Sequence, residues 1–307
     1  MSGEDLQTRI QQALDGLRSR LQADYGWTRC ELSVEIHGTT IRLHGEVASL
    51  RLRPRIAAAI EPILPAGASL TLELRPPAHR EWRRLLQPTP LWRWHPSLGR
   101  RELASELATD DGPVAVIDEH RGATLIRARD GTVAWLEDAC LGPSCEPRRL
   151  GPPSRLSDPV QAVLVEARSY LGVSYRLGGA SAANIDCSAL VQRVFQDRLG
   201  LLLPRNSNDQ LRVAGGGEPR PLDAPASYPG ELLFIHSRSM GLTHVGIVDT
   251  DTVIHASKTR GRVVEVPIGD FLADAAWLRV VSLGSLLIWG RGQIGRECVE
   301  LPERELV

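Results

Sequence analysis

The chain has 307 residues, enough for two or three domains. Hydrophobic residues at 42% and charged residues at 24% give the balance of a folded globular chain. Lys+Arg at 36 nearly cancel Asp+Glu at 37, which argues against nucleic acid as the main partner, and no apolar run reaches the roughly 18 residues of a membrane span.

Met1 to Asp5 contain no basic region, and no apolar core follows them. The expectation is therefore no signal peptide and a cytoplasmic protein, with export by a non-classical route the alternative. Five cysteines (Cys30, Cys140, Cys145, Cys187 and Cys298) are odd in number and scattered. They do not form a disulfide framework and fit a reducing compartment.

Leu6, Ile10, Leu14, Leu17 and Leu21 recur at helical spacing and predict a helix over 4–22. Leu32, Val34 and Ile36 alternate with polar residues, Gly38 turns the chain, and Ile41 and Leu43 continue a hairpin. A helix at about 50–63 and a strand through Leu70, Leu72 and Leu74 complete an α-β-β-α-β unit, residues 1–78, ending at Pro76-Pro77. From 90 to 142 short strands are expected at 113–117, 123–127 and 132–136, divided by Arg121-Gly122 and Asp130-Gly131. That spacing predicts a small β-barrel. With the Pro- and Gly-rich linker that follows, it makes a second unit, 79–150. A third unit, 151–285, opens with helices at 158–171 and 187–199. It continues with strands at 231–236, 244–249, 252–256 and 262–266, an α+β pattern. In the first helix Val160, Val163, Leu164, Ala167 and Leu171 form the apolar side. Residues 286–307 are a C-terminal tail.

Cys187 follows Asp186, a natural N-cap, and precedes the apolar set Leu190, Val191, Val194, Phe195 and Leu199. The thiol thus falls in the first helical turn, where unpaired N–H groups and the helix dipole favour negative charge. An ordinary cysteine pKa of about 8.5 can fall there to roughly 3.5–7.5 beside an imidazolium. The same N–H groups suit an oxyanion. A lone cysteine is most often a small buried hydrophobe. Two histidines change that reading. On the period of two, His244 shares a face with Gly246 and Val248, and His255 shares one with Val253 on the next strand. An imidazole base fixed by a third polar group is what a thiol nucleophile needs. His236 reads as a surface strand end, with a place near the cleft the alternative. Cys140 and Cys145, separated by four residues with no second pair nearby, argue against a metal site, and no cofactor is expected.

The motifs Tyr175-Arg176-Leu177-Gly178-Gly179, Asp186-Cys187-Ser188, Leu203-Pro204-Arg205-Asn206-Ser207, Asp209-Gln210, Pro229-Gly230-Glu231-Leu232, His244-Val245-Gly246-Ile247 and Ile254-His255-Ala256-Ser257 resemble, in order, those of the NlpC/p60 family over about 158–270. The resemblance implies a papain-like α+β domain with Cys187 as nucleophile, His244 as base, His255 as the orienting residue and Tyr175 near the oxyanion site. Ala189 stands where the family often has Gly, and Glu231 where it often has Asp. Residues 4–75, notably Thr40 to Val47, resemble a BON domain, and Asp130 to Leu136 resemble the last hairpin of a bacterial SH3 domain. In relatives with SH3-like domains the neighbour helps close the pocket around a substrate amine. The implied activity is cleavage between γ-D-Glu and the diamino acid of murein (peptidoglycan) stem peptides with a free N-terminal L-Ala. Asp186 would pair with that amine, Ser188 would sit beside it, and Arg205 and Ser207 would line the far side. The alternatives are an amidase or acyltransferase of the same fold, a secreted antibacterial toxin, and a non-enzymatic binding module, which the intact Cys187, His244 and His255 argue against.

Overall fold

The computed structural model describes residues 3–25, 29–47, 52–75, 78–223 and 228–299. Pro76-Pro77, expected as the first domain break, lie outside them. Helix α1 (Gly3–Tyr25) is followed by strands β1 (Cys30–His37) and β2 (Thr40–Val47), helix α2 (Arg53–Ile60) and strand β3 (Ser69–Arg75). The hairpin turns where His37 faces Thr40, and Gly38 takes φ +61 there. Through α2 the chain crosses over, so β3 lies parallel to β2. The α1 leucines and Ile10 form the buried stripe foreseen, closing on Ile41, Leu43, Ile56 and Ile60.

The second unit is a seven-stranded sheet of β4 (Glu81–Leu85), β5 (Thr89–Trp92), β6 (Leu103–Leu107), β7 (Val114–His120), β8 (Ala123–Arg127), β9 (Val133–Glu137) and β10 (Leu141–Ser144). Its order is β10-β4-β7-β8-β9-β5-β6. The edge strands β10 and β6 do not pair, so the expected barrel is not closed. The start of the expected linker is strand instead: Leu141 faces Leu85 and Ser144 faces Arg83.

The third unit contains α3 (Pro159–Ser169), β11 (Ser174–Tyr175), β12 (Asn184–Ile185), α4 (Cys187–Leu199), α5 (Ser207–Val213), β13 (Glu218–Arg220), β14 (Leu232–Ser237), β15 (Leu242–Asp249), β16 (Thr252–Ser257), β17 (Arg262–Pro267), α6 (Ile268–Leu272), β18 (Ala275–Val281) and α7 (Leu283–Arg291). The sheet runs β12-β11-β17-β16-β15-β14-β18-β13. One face carries Leu232, Phe234, Val245, Ile247 and Ile254 and packs on α3 and α4. The other carries Leu233, Ile235, Val248 and Val253 and packs on Phe271 of α6. Leu171 lies beyond the end of α3 and is exposed, not on its apolar side. Residues 283–291 are not tail: Leu283 and Leu286 enter the α4 core, and a Cβ on Gly290 would meet Leu201 Cδ1 at 2.1 Å.

Candidate active site

Helix α4 begins at Cys187 because Asp186 caps it: the Asp186 carboxylate accepts the Ala189 N–H at 2.9 Å. The thiol sits at that N-terminus, partly buried. Pairing of β15 with β16 stops at Ile247–Ile254. Beyond that point the Val245 N–H turns to the Cys187 sulfur, which the Ser188 N–H also reaches. Both contacts favour a thiolate. Burial opposes them and is the larger effect; with the Asp186 charge it pushes the Cys187 thiol up to about 12. A thiol depressed by the helix terminus, expected from sequence, is therefore not what the substrate-free site favours.

His244 Nε2 lies 2.8 Å from His255 Nδ1, with the rings edge to face. Both side chains are buried. Burial lowers His244 to about 4 and His255 to about 3, so both are neutral at ordinary pH. Gly246 makes room for the pair. A Cβ there would meet Val253 Cγ1 at 2.3 Å and His255 Cβ and Phe271 Cε2 at 3.2 Å. Phe271 closes this side, 5.5 Å from the His244 ring and 5.0 Å from the His255 ring, centroid to centroid. Phe271 was not identified from sequence: α6 has five residues, and nothing local marks its contact with β15 and β16.

Tyr175 is half-buried on β11. Burial first, then the charges of Cys187 and Asp186, hold its hydroxyl protonated well beyond the usual range. It remains a hydrogen-bond donor beside the thiol.

The four residues assigned to substrate contact lie elsewhere than expected. Asp186 accepts Ala189 N (2.9 Å), Ser188 Oγ (3.1 Å), Gly178 N (2.9 Å), Arg205 Nη1 (2.9 Å) and Arg205 Nη2 (2.8 Å). Five donors saturate a carboxylate with about four acceptor positions, so none is left for a substrate amine. Arg205 is only 3% exposed and does not line the cleft. Its remaining bonds go to Ser188 Oγ (3.0 Å), Gly179 O (3.2 Å) and, across the domain boundary, Ser105 Oγ of β6 (3.0 Å). Ser188 is buried within this network, and the Ser207 hydroxyl donates to Thr243 O at 2.9 Å. These residues build the floor beneath the thiol. Gln210, fully buried, ties Ser188 O to Pro204 O at 2.9 Å each.

The second unit is seated on the same floor. Gly178, with φ +80, brings its Cα so close to β6 that a Cβ would stand 2.4 Å from Leu103 O. The Ala180 N–H donates to Glu106 at 3.1 Å, Arg193 pairs with Asp111 at 2.8 Å, and Gln192 donates to Asp130 at 3.1 Å.

A thiol with two backbone donors on its sulfur, and two neutral imidazoles in contact with one another, are the parts that a nucleophile–base arrangement needs. A model described as the NlpC/P60 family matches residues 172–280. A probable endopeptidase NlpC of Escherichia coli (strain K12) is 35% identical over 130 residues, 40% of this chain and 80% of the relative. A murein DD-endopeptidase/murein LD-carboxypeptidase of the same strain is 32% identical over 103 residues, 33% of this chain and 52% of that protein. A gamma-DL-glutamyl hydrolase of Bacillus subtilis (strain 168) is 38% identical over 96 residues, 30% of this chain and 22% of that protein.

Proposed function

Because the chain belongs to the NlpC/P60 family, we propose that it is a cysteine endopeptidase that hydrolyses the γ-D-glutamyl–diamino acid bond of murein stem peptides. The observation that carries this reading is the His244–His255 contact together with the capped, helix-terminal thiol, whose sulfur takes the N–H of Val245, the residue after His244. Relatives described as a murein endopeptidase and a gamma-DL-glutamyl hydrolase support the substrate class and the γ-linkage. The BON-like and SH3-like units belong to the same proposal. The second sheet, seated on the Gly178–Ala180 loop, would close the side that meets the peptide's N-terminus and favour a free L-Ala amine.

This reading carries a proton assignment. His244 Nε2 faces His255, so Nδ1 is the nitrogen left for the thiol. For Nδ1 to act as base, Nε2 must carry the ring proton and donate to a bare His255 Nδ1. His255, lowered to about 3 by burial, stays neutral and keeps that acceptor open. Cys187 then gives its proton to His244 as sulfur attacks the γ-carbonyl carbon. The Cys187 N–H and the Tyr175 hydroxyl stabilise the oxyanion. His244 returns the proton to the departing amine, leaving a thioester. A water, deprotonated by His244, hydrolyses it and restores the thiol.

Digestion of murein fragments that hold the muramoyl–L-Ala amide, the γ-D-Glu–diamino acid bond and the D–D cross-link, with products mapped by mass spectrometry, tests the assignment. Cleavage at γ-D-Glu is expected. Cleavage confined to the D–D bond or to the muramoyl amide would overturn it.

A further inference from the structure

Strand β6 is the edge of its sheet and leaves one side of its backbone to a neighbour. The third unit meets it from Leu103 to Glu106. Gly178 rests against Leu103 O, the Ser105 hydroxyl accepts from Arg205 Nε at 3.0 Å, and Glu106 accepts the Ala180 N–H at 3.1 Å.

Arg205 is the centre of this contact. A guanidinium carries five N–H donors in one rigid plane. Here Nε gives to Ser105 Oγ, Nη1 to Asp186 Oδ1 and Ser188 Oγ, and Nη2 to Asp186 Oδ2 and Gly179 O. Every donor is used, and Ser105 supplies the one acceptor that comes from outside the third unit. Arg205 and Ser105 are both buried, so bulk water does not reach a vacated donor. The backbone that delivers Arg205 is held separately: Gln192 donates to Leu203 O at 2.8 Å and Gln210 to Pro204 O at 2.9 Å. With that backbone fixed, the tilt of the guanidinium is set by what its nitrogens meet, and Ser105 holds the Nε corner.

What the guanidinium aligns is Asp186. Oδ1 of that carboxylate caps α4 through the Ala189 N–H, and Oδ2 takes the Gly178 N–H. One side chain thus ties the first turn of the nucleophile's helix to the loop that follows Tyr175. A tilt of Arg205 moves both bonds together. With them move Cys187, the Ser188 N–H that reaches its sulfur, and the backbone behind Tyr175.

We propose that β6 aligns the catalytic centre, with Ser105 a positioning residue that acts through Arg205 on Asp186, so that kcat depends on the docked second unit. The proposal rests on Cys187 as the nucleophile. Ser105→Ala is expected to lower kcat for L-Ala-γ-D-Glu-meso-diaminopimelate by roughly tenfold or more while KM stays within about threefold, since small misplacements of reacting groups cost rate steeply. Ser105→Thr keeps the hydroxyl and should restore kcat to within about threefold of wild type. Asp111→Asn loosens the docking elsewhere, at the Arg193 pair, and should leave kcat close to wild type. An unchanged kcat in Ser105→Ala, or an equal loss in Asp111→Asn, overturns the proposal. Amide hydrogen exchange reads the same coupling without substrate. In Ser105→Ala the Ala189 and Gly178 amides, both held by Asp186, should exchange roughly tenfold faster or more, while the β7–β8 ladder of the second unit keeps its wild-type rates. Unchanged rates at Ala189 and Gly178, or the same acceleration in β7–β8, overturn the coupling. If the wild-type protein leaves the γ-D-glutamyl bond intact, the proposed bond falls, and the exchange rates alone decide the positioning.

Discussion

The His244 ring nitrogen Nε2 sits 2.8 Å from His255 Nδ1, so a base at His244, as proposed, depends on a neutral partner and not on a carboxylate. A neutral imidazole orients the base but stabilises its protonated form less than an anion would.

Replacing His255 separates orientation from charge. His255→Ala should lower kcat by roughly 10²–10⁴-fold, the scale seen when the tautomer of a catalytic histidine is no longer fixed. His255→Asp places an anion against His244 and raises its pKa from about 4. More protonated base at low pH moves the acid limb of the kcat/KM profile upward. An acid limb that stays in place in His255→Asp would contradict the contact.

Gly246→Ala adds a methyl group where Val253 Cγ1 is 2.3 Å away. Strand β16 must shift, and His255 with it. A stability loss of about 1–3 kcal/mol is expected from overpacking. The kcat loss should exceed that of Val253→Ala, which opens space without moving His255 toward the base. Thermal melts and steady-state kinetics on the two variants decide it.

The Asp186–Arg205 pair should behave as a buried ion pair bound into a network. Arg205→Met alone leaves Asp186 uncompensated and should cost about 3–5 kcal/mol, and the double variant Asp186→Asn, Arg205→Met should cost less than the sum of the singles. Additive losses in a denaturation cycle would show that the two side chains do not stabilise one another.

Burial holds the Cys187 thiol up at about 12. Its alkylation by iodoacetamide should therefore keep rising through pH 9, where a thiolate–imidazolium pair would already have levelled off. The linkage sign follows. An unfolded thiol ionises near its ordinary pKa of about 8.5 while the folded one does not, so the stability from this group is present below that pH and declines toward 12. For His255, lowered to about 3, stability is present above the unfolded value of about 6.5 and is lost as pH falls through the window below it.

Parts of the candidate site were legible in their placement because they are local. A cap residue followed by an apolar helical set placed Cys187 at the start of α4, and alternation on two adjacent strands put the His244 and His255 side chains on one face, where their rings meet. What escaped was set by distance along the chain. Arg205 lies 19 residues from Asp186, and Ser105 lies 100 residues from Arg205, so a cleft-lining arginine and a buried one look alike in sequence. Strands β4 to β6 are short, and Pro90 and paired arginines interrupt their alternation. Helix α7 reads as tail because its partners, Leu201 and the α4 core, come from far upstream.

The most direct measurement is intact-protein mass spectrometry during turnover of L-Ala-γ-D-Glu-meso-diaminopimelate, with Cys187→Ala as control. The account predicts release of diaminopimelate and a transient mass increment equal to the L-Ala-γ-D-Glu acyl group on Cys187, both absent from the variant. Release of diaminopimelate by the Cys187→Ala protein at the wild-type rate would contradict it.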